Sequence, residues 1–347
     1  MTSTPALSAP SAGAPFNATM IERRALRGDD VQIEVKYCGI CHSDVHQARD
    51  EWGGSIFPMV PGHEIAGLVS AVGADVEKFS IGDRVGVGCM VDSCGGCEYC
   101  VAGEEQFCLK GNVQTYNGRE YDGTPTYGGY SRQIVVKDRF VVHIPEAMEL
   151  QEAAPLLCAG ITTYVPLKHW HVGPGTRVAV VGMGGLGHVG VQIGAAMGAE
   201  ITVLSQTLAK REDGLRFGAK EYYATSDRET FKKLRSSFDL ILNTVSANFD
   251  INAYLRLLRV DGTLVTVGAP PAPDQVQAFA LIAGRRSLAG SAIGGLRDTQ
   301  EMLDFCAEHD VRPAIELIAS DSVDAAYERI VRSDVRYRFV IDTATIG

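Results

Sequence analysis

Four cysteines fall within one short stretch, D-S-C-G-G-C-E-Y-C-V-A-G-E-E-Q-F-C, as Cys94, Cys97, Cys100 and Cys108 with the spacing C-x2-C-x2-C-x7-C. Four thiolates saturate a tetrahedral metal such as zinc and leave no position for a substrate, which marks a structural site. An iron–sulfur cluster is the rival, but the bacterial ferredoxin run closes after three residues and is followed by proline. This one closes after seven and continues with Leu109. The spacing predicts a structural zinc that stiffens the loop 89–110 and takes no part in chemistry. A zinc ribbon that binds nucleic acid would need a basic surface here, whereas the closing G-E-E-Q-F is acidic.

A second group begins with Y-C-G-I-C-H-S-D-V-H at residues 37–46. Its C-x-x-C, Cys38 and Cys41, is open to three readings: half of a zinc knuckle, a redox pair, or one ligand beside an unrelated thiol. Outside the first cluster remain Cys38, Cys41, Cys89, Cys158 and Cys306, with V-P-G-H-E-I-A-G at 60–67. A catalytic zinc takes about three protein ligands and keeps one position exchangeable. Cys41, His63 and Cys158 have suitable types, but residues so far apart cannot be gathered by spacing.

The third group is V-A-V-V-G-M-G-G-L-G, with G-x-G-x-x-G at Gly182, Gly184 and Gly187 and with Gly185 and Leu186 inside it. It follows an apolar strand, opens a helix-like run at 188–198 and precedes a second strand, the context a dinucleotide site requires. Gly182 permits the tight turn, Gly184 lets the backbone approach a pyrophosphate, and Gly187 allows close helix–strand packing. The helix N-terminus supplies unpaired N–H groups and a positive dipole. An NAD site usually carries an acid about 20 residues on. Here Ser205 stands in that place, and Thr207, Lys210 and Arg211 follow before the first carboxylate, Glu212. Hydroxyls and cations suit a 2′-phosphate, so NADP(H) is expected, with an NAD(H)-preferring protein as the alternative if Lys210 and Arg211 merely start a solvated helix.

The elements that must position these groups change rhythm along the chain. V-Q-I-E-V-K-Y at 31–37 alternates like a half-buried strand, and short glycine-punctuated strands continue to about residue 145, as in a β-rich barrel with long loops. From about 155, apolar strands at 177–182, 201–205, 240–243 and 263–268 alternate with helix-length segments, which implies a parallel sheet covered by helices. A helix around D-T-Q-E-M-L-D-F-C-A-E-H and a final strand at 337–342 close the chain. The length of 347 residues fits about two domains. A net charge of −10 opposes a broad nucleic-acid or anionic-membrane surface. The Ser/Ala/Pro-rich first fifteen residues read as a frayed, soluble N-terminus without the marks of a secretory signal. No apolar run reaches the ~18 residues of a membrane span, and nine cysteines without a signal argue for metal ligation or reduced thiols rather than a disulfide framework, and so for a cytoplasmic protein.

Taken in order, C-G-I-C-H-S-D-V-H, P-G-H-E-I-A-G-L-V, the four-cysteine loop, P-L-L-C-A-G-I-T-T-Y, G-M-G-G-L-G and D-V-R-Y-R-F-V-I-D closely resemble the zinc-dependent medium-chain alcohol dehydrogenases. The likeness is greatest to the cinnamyl alcohol dehydrogenase-like branch of broad aldehyde reductases, and it covers residues ~20 to ~345. The resemblance implies an α/β chain. A GroES-like β-barrel catalytic domain takes residues 1–153 and 297–347, and a Rossmann doubly wound parallel-sheet domain takes 154–296. It implies that Cys41, His63 and Cys158 hold a catalytic zinc, and that Glu64 is the carboxylate beside the metal that can enter its coordination. Asp44 then orients the ligand histidine, Ser43 touches the substrate oxygen and His46 ends its proton relay. Thr162, Val267, Gly268, Ser291 and Ile293 line the nicotinamide half of the cofactor. Two zinc ions per subunit, NADP(H), a primary alcohol or aldehyde substrate and a homodimer formed through the strand near 287–293 complete the expectation. A non-catalytic relative would have lost a ligand or relay residue, and none is lost. A zinc-free quinone reductase of the same fold would lack both cysteine sets.

Several residues stay outside this scheme. His169 and His171 read as surface residues, Cys38, Cys89 and Cys306 as packed thiols. His188 could face a phosphate or simply begin a helix, and Trp52 could line a cleft or cap a loop. Arg338 could reach the pyrophosphate, but Arg336 is equally placed and a plain salt bridge is the alternative.

Overall fold

The strand Asp30–Gly39 is the spine of the first unit, and its burial alternates along D-V-Q-I-E-V-K-Y-C-G as the period of two requires. In the computed structural model, which describes residues 2–270 and 272–347, that strand pairs antiparallel with Ile65–Val72, Gln133–Lys137 and Arg338–Asp342. Arg84–Val87 and Val142–His143 extend the sheet on one side, and Ile315–Ile318, parallel to Arg338–Asp342, extends it on the other. Residues up to Ile161, together with 294–308 and 312–347, form this unit. Its last strand comes from the far end of the chain and lies beside Cys38 and Gly39, so residue 338 and the C-G-I-C segment are neighbours.

The second unit, Thr162–Ile293 with 309–311, is a six-stranded parallel sheet. Its spatial order is Glu221–Ala224, Glu200–Ser205, Arg177–Val181, Phe238–Asn243, Leu258–Thr266 and Ser287–Gly290. Numbered within the unit this is 3-2-1-4-5-6, the doubly wound order whose reversal beside the first strand opens a dinucleotide crevice at the carboxyl ends. The central strands are apolar on both faces because helices cover both; Val178, Ala179 and Val180 are fully buried. The helix Gly187–Ala196 follows the first strand, as the sequence pattern requires. Among the described residues, no helix is long and apolar enough to cross a membrane.

The N-terminal segment departs from expectation. Thr2–Ser8 is not frayed: it forms a seven-residue antiparallel pair with Asn17–Arg23. Its other edge is bound as well, through Leu7 N to Tyr130 O (2.8 Å), Ala9 N to Met59 O (2.8 Å) and Arg132 N to Pro5 O (3.0 Å). Ala6, Leu7 and Ala9 are buried. Composition suggested disorder because the partners that satisfy this second edge lie 50 to 127 residues away.

Arg23 ends that hairpin as a buried guanidinium without an acidic partner. It donates to Gln133 O (2.9 Å), Tyr127 O (2.5 Å), Gly128 O (2.9 Å) and Ser131 Oγ (2.7 Å), and burial pulls it down to about 9. An unpaired buried acceptor costs about 1–3 kcal/mol, so Arg23→Ala is expected to destabilise this unit by roughly 3 kcal/mol or more. By the usual size scaling its thermal midpoint falls by about 6–12 °C, which calorimetry on the purified variant measures.

Candidate active site

Cys41 caps the helix His42–Ala48, whose three-residue offset places Asp44 back over the cap: Cys41 N donates to Asp44 Oδ2 at 2.8 Å. This is a capping box with an acid at its third position. The other carboxylate oxygen, Oδ1, accepts from His63 Nδ1 at 3.1 Å and from Gly62 N at 3.3 Å. With Nδ1 donating, Nε2 of His63 is left to act as a metal ligand, and the carboxylate fixes that tautomer. Burial opposes a charged ring, but Asp44 and the neighbouring thiols hold His63 well above its ordinary value.

Cys158 lies in a π-helical turn, Leu156–Gly160, that continues Leu150–Pro155. Such turns interrupt the regular bonding and re-aim one side chain, and they are frequent at functional sites. Here the turn brings Cys158 Sγ to 3.9 Å from Cys41 Sγ. Two thiolates bound to one tetrahedral zinc at ~2.3 Å stand about 3.8 Å apart, so the pair is spaced for a shared metal. The hydrogen bond from Cys158 holds Cys41 well below the usual thiol value. Ligand atoms of Cys41, His63, Glu64 and Cys158 all lie within 4.8 Å of one another, and all four residues are buried.

Glu64 supplies the clearest sign of a missing partner. Its Oε1 accepts from Arg338 Nη2, both residues being buried, while Oε2 is buried with no hydrogen-bond partner. Burial pushes Glu64 up to about 8 despite the pull of Arg338, whose own value is raised by the carboxylate and by the thiolates of Cys41 and Cys158 against the effect of burial. An unpartnered oxygen beside two thiols and an imidazole fits a cation there. Gly39 makes the room: a Cβ at that position would lie 2.0 Å from Glu64 Oε2. Arg338 is therefore engaged with Glu64, and Arg336 reaches Tyr337 Oη instead (3.4 Å).

The second cluster is also assembled. Cys94, Cys97, Cys100 and Cys108 place their sulfurs within 4.8 Å of one another, with Cys94–Cys100 at 3.9 Å and Cys97–Cys100 at 3.5 Å. Cys94 N donates to Cys108 Sγ at 3.3 Å. The buried Asp92 anchors the start of the loop through Lys137 (2.6 Å) and Arg139 (2.5 Å).

Other residues stand as follows. Ser43 Oγ lies 3.6 Å from Cys41 Sγ. His46 Nδ1 bonds Glu51 Oε2 at 2.5 Å, and its Nε2 is buried without a partner. Trp52, half exposed, packs against the His46 ring at 4.8 Å with the planes tilted by 30°. In the second unit, Gly182 has φ +94°, and a Cβ on Gly187 would lie 2.0 Å from Gly182 O, whereas a Cβ on Gly184 would meet nothing within 4 Å. The turn is thus closed from behind and open above Gly184, where a phosphate cradle needs space. Thr162 Oγ1 is buried and unpartnered, and Ile293, β-branched at φ +32°, holds a strained backbone of the kind that clusters at ligand sites. Ser205 ends the second strand, with Thr207, Lys210 and Arg211 just beyond it. Val267 N and Gly268 N are held on Asn243 O (3.0 and 3.4 Å), and Ser291 N on Thr266 O (3.2 Å). His188 is fully buried with Nδ1 on Gly184 O (3.1 Å), so it belongs to the turn itself. His169 and His171 are exposed.

Cys38 and Cys306 are buried thiols, Cys38 against Gly62 and Gly129 and Cys306 against Met302. Cys89 corrects the expectation of a packed thiol: it is half-buried and hydrogen-bonded to Cys158, which lowers its value, with His63 close by. Sequence reading also passed over Gly39, Glu51, Tyr116 and the Glu64–Arg338 pair. Only Gly39, invariably required by its neighbour's carboxylate, left a local trace in C-G-I-C.

The sequence matches the family model for the alcohol dehydrogenase GroES-like domain over residues 27–146 and that for zinc-binding dehydrogenase over 185–308. The probable formaldehyde dehydrogenase AdhA of Bacillus subtilis is 65% identical over 340 residues, covering 98% of this chain and 97% of that protein. The chain belongs to the zinc-dependent alcohol dehydrogenase family. NADP-dependent alcohol dehydrogenase C 1 of Mycolicibacterium smegmatis is 60% identical, covering 100% of this chain and 99% of that one. A cinnamyl alcohol dehydrogenase structure from Sorghum bicolor superposes with a TM-score of 0.97 at 42% identity, covering 100% of this chain and 99% of that one. As a member of this family, the dehydrogenase carries both cysteine sets in geometries that suit zinc.

Breaking a buried ion pair by removing one partner costs about 3–5 kcal/mol. Arg338→Ala is therefore expected to lose roughly that much stability in denaturant titration, and Arg338→Met combined with Glu64→Gln is expected to recover most of it.

Proposed function

We propose that this protein is an NADP(H)-dependent zinc alcohol dehydrogenase that interconverts primary alcohols and aldehydes. The observation that carries the reading is the set Cys41, His63 and Cys158 with the unpartnered oxygen of Glu64 beside it: three ligands and a fourth position that a carboxylate can fill or leave. A zinc held by Cys41, His63 and Cys158 would supply a Lewis acid for the substrate oxygen, and a nicotinamide would supply the hydride. The chain's own residues do the rest. Two thiolates from Cys41 and Cys158 would offset the metal's charge, and Asp44 holds the Nδ1–H of His63 so that Nε2 is left for the metal. Ser43, beside Cys41, is placed to hydrogen-bond the substrate oxygen. His46, fixed by Glu51 at 2.5 Å, keeps Nε2 available to pass a proton, and Glu51 gives that proton a route to solvent. The four-cysteine site stiffens its loop without touching substrate.

Gly182, Gly184, Gly185, Leu186 and Gly187 with the following helix N-terminus form the pyrophosphate seat, and Thr162, Val267, Gly268, Ser291 and Ile293 the nicotinamide side. Ser205, Thr207, Lys210 and Arg211 form the 2′-phosphate seat, with no acid at the end of the second strand to repel it. The residues up to Ile161 and after Ile293 act as the catalytic domain, and those between bind the cofactor. All nine cysteines are free thiols, which fits a reducing, cytoplasmic setting. The strand Ser287–Gly290 is the open edge of its sheet, and Leu288, Phe279 and Ile282 near it are exposed at 36%, 79% and 66%. An unpaired edge flanked by apolar side chains suits a second copy of this chain, so a homodimer is expected on sedimentation analysis, with Leu288→Lys shifting it to monomer.

The test follows oxidation of NADPH and NADH over a panel of aldehydes, before and after chelation. Cys41→Ala is expected to lose well over the roughly 100-fold typical of a disturbed metal surround; undiminished turnover would sink the zinc mechanism. Arg211→Ala is expected to raise KM for NADPH by roughly tenfold or more, the worth of a charge-assisted hydrogen bond, while leaving KM for NADH unchanged. Faster turnover of the unaltered protein with NADH would replace the cofactor reading by an NAD-preferring one.

A further inference from the structure

Asp44 is fully buried, and what it holds decides the geometry of the candidate metal centre. Three of its hydrogen bonds come from Cys41 N, Gly62 N and His63 Nδ1. Each of these donors is part of, or adjacent to, a residue that would bind the metal. A restraint that comes from elsewhere in the fold is supplied by Tyr116. Its segment follows the short strand Val113–Gln114 and is pinned by Thr115 N to Cys89 O (3.1 Å) and Thr115 Oγ1 to Gly88 O (2.5 Å). The Tyr116 ring is 6% exposed and stacks on the His63 imidazole at 5.7 Å with 22° between planes. Its hydroxyl lies close enough to the Asp44 carboxylate to feel its charge. Tyr130 and Tyr327, whose hydroxyls are 3.2 Å apart, complete a buried wall of phenols near the same carboxylate.

We propose that Tyr116 is a positioning residue of the catalytic metal site, gripping both members of the Asp44–His63 pair: the ring sets the plane of the imidazole, and the hydroxyl sets the carboxylate that orients it. A buried tyrosine hydroxyl needs a partner, and packing alone would be served by phenylalanine. The carboxylate–imidazole bond raises the basicity of the ligand nitrogen and locks its direction. Without the hydroxyl the carboxylate loses a polar neighbour and the imidazole gains freedom to rotate.

This inference rests on the zinc reading above, and the test separates the two. The full-length protein, with its four-cysteine site left loaded, is depleted of catalytic metal by dialysis against a chelator and titrated with cobalt(II). Cobalt reports its coordination through thiolate charge-transfer and d–d absorption, so the readout does not depend on activity. Cys41→Ala is the reference; if it leaves the cobalt spectrum unchanged, the metal reading fails and takes this inference with it. Given a Cys41-dependent spectrum, Tyr116→Phe, which keeps the stacked ring, is expected to weaken cobalt binding about tenfold, the low end for outer partners of metal ligands, and to shift the d–d bands. Tyr116→Leu, which removes both contacts, is expected to weaken it further. In an Asp44→Asn background, Tyr116→Phe should have no additional effect. Wild-type affinity and bands in Tyr116→Phe, or equal metal loss from the four-cysteine site, would overturn the proposal and leave Tyr116 a packing residue.

Discussion

A carboxylate with no access to water holds the candidate active site together. Asp44 costs the protein several kcal/mol in lost hydration unless its oxygens are fully bonded, and they are bonded to Cys41 N, Gly62 N and His63 Nδ1. Those donors come from a helix start and the loop before the strand Ile65–Val72. Burying the charge forces the two to meet at fixed distances. The candidate metal ligands inherit that precision, since Cys41 and His63 are themselves the residues that bond the acid.

A second buried charge lies beside the same candidate ligands. Glu64 and Arg338 pair with almost no exposure, and the pairing depends on Arg338–Asp342 lying beside Cys38 and Gly39. Only one glutamate oxygen is engaged, so the carboxylate is restrained by its cation yet keeps an oxygen for another partner. The arrangement costs more than an apolar pair of the same volume would.

The second unit works by backbone more than by charge. Gly182 and Gly187 are required by contacts behind the turn, whereas a Cβ at Gly184 would meet nothing within 4 Å and the space before it is open. The parallel sheet places this turn at the carboxyl end of its first strand, where the strand order reverses and the helix dipole favours an anion.

Much of this was legible in the chain because the relevant spacing is local. The four cysteines span one loop, the glycines one turn, and Cys41, Ser43, Asp44 and His46 one short helix, so residue types and periodicity carry their meaning. Family resemblance then supplied His63 and Cys158, which no spacing could have joined. The N-terminal strand, the Glu64–Arg338 pair, the stacking of Tyr116 on His63 and the nearness of Cys89 to Cys158 were not legible. Each depends on strands pairing across tens to hundreds of residues, and on a π turn whose aim no residue pattern announces. The sequence by itself determined the ligand types, the phosphate turn and the two-part plan, because these follow from local chemistry. Tertiary structure alone decided which buried charges face each other, because the cost of burying a charge is settled only by the donors that the finished fold brings to it.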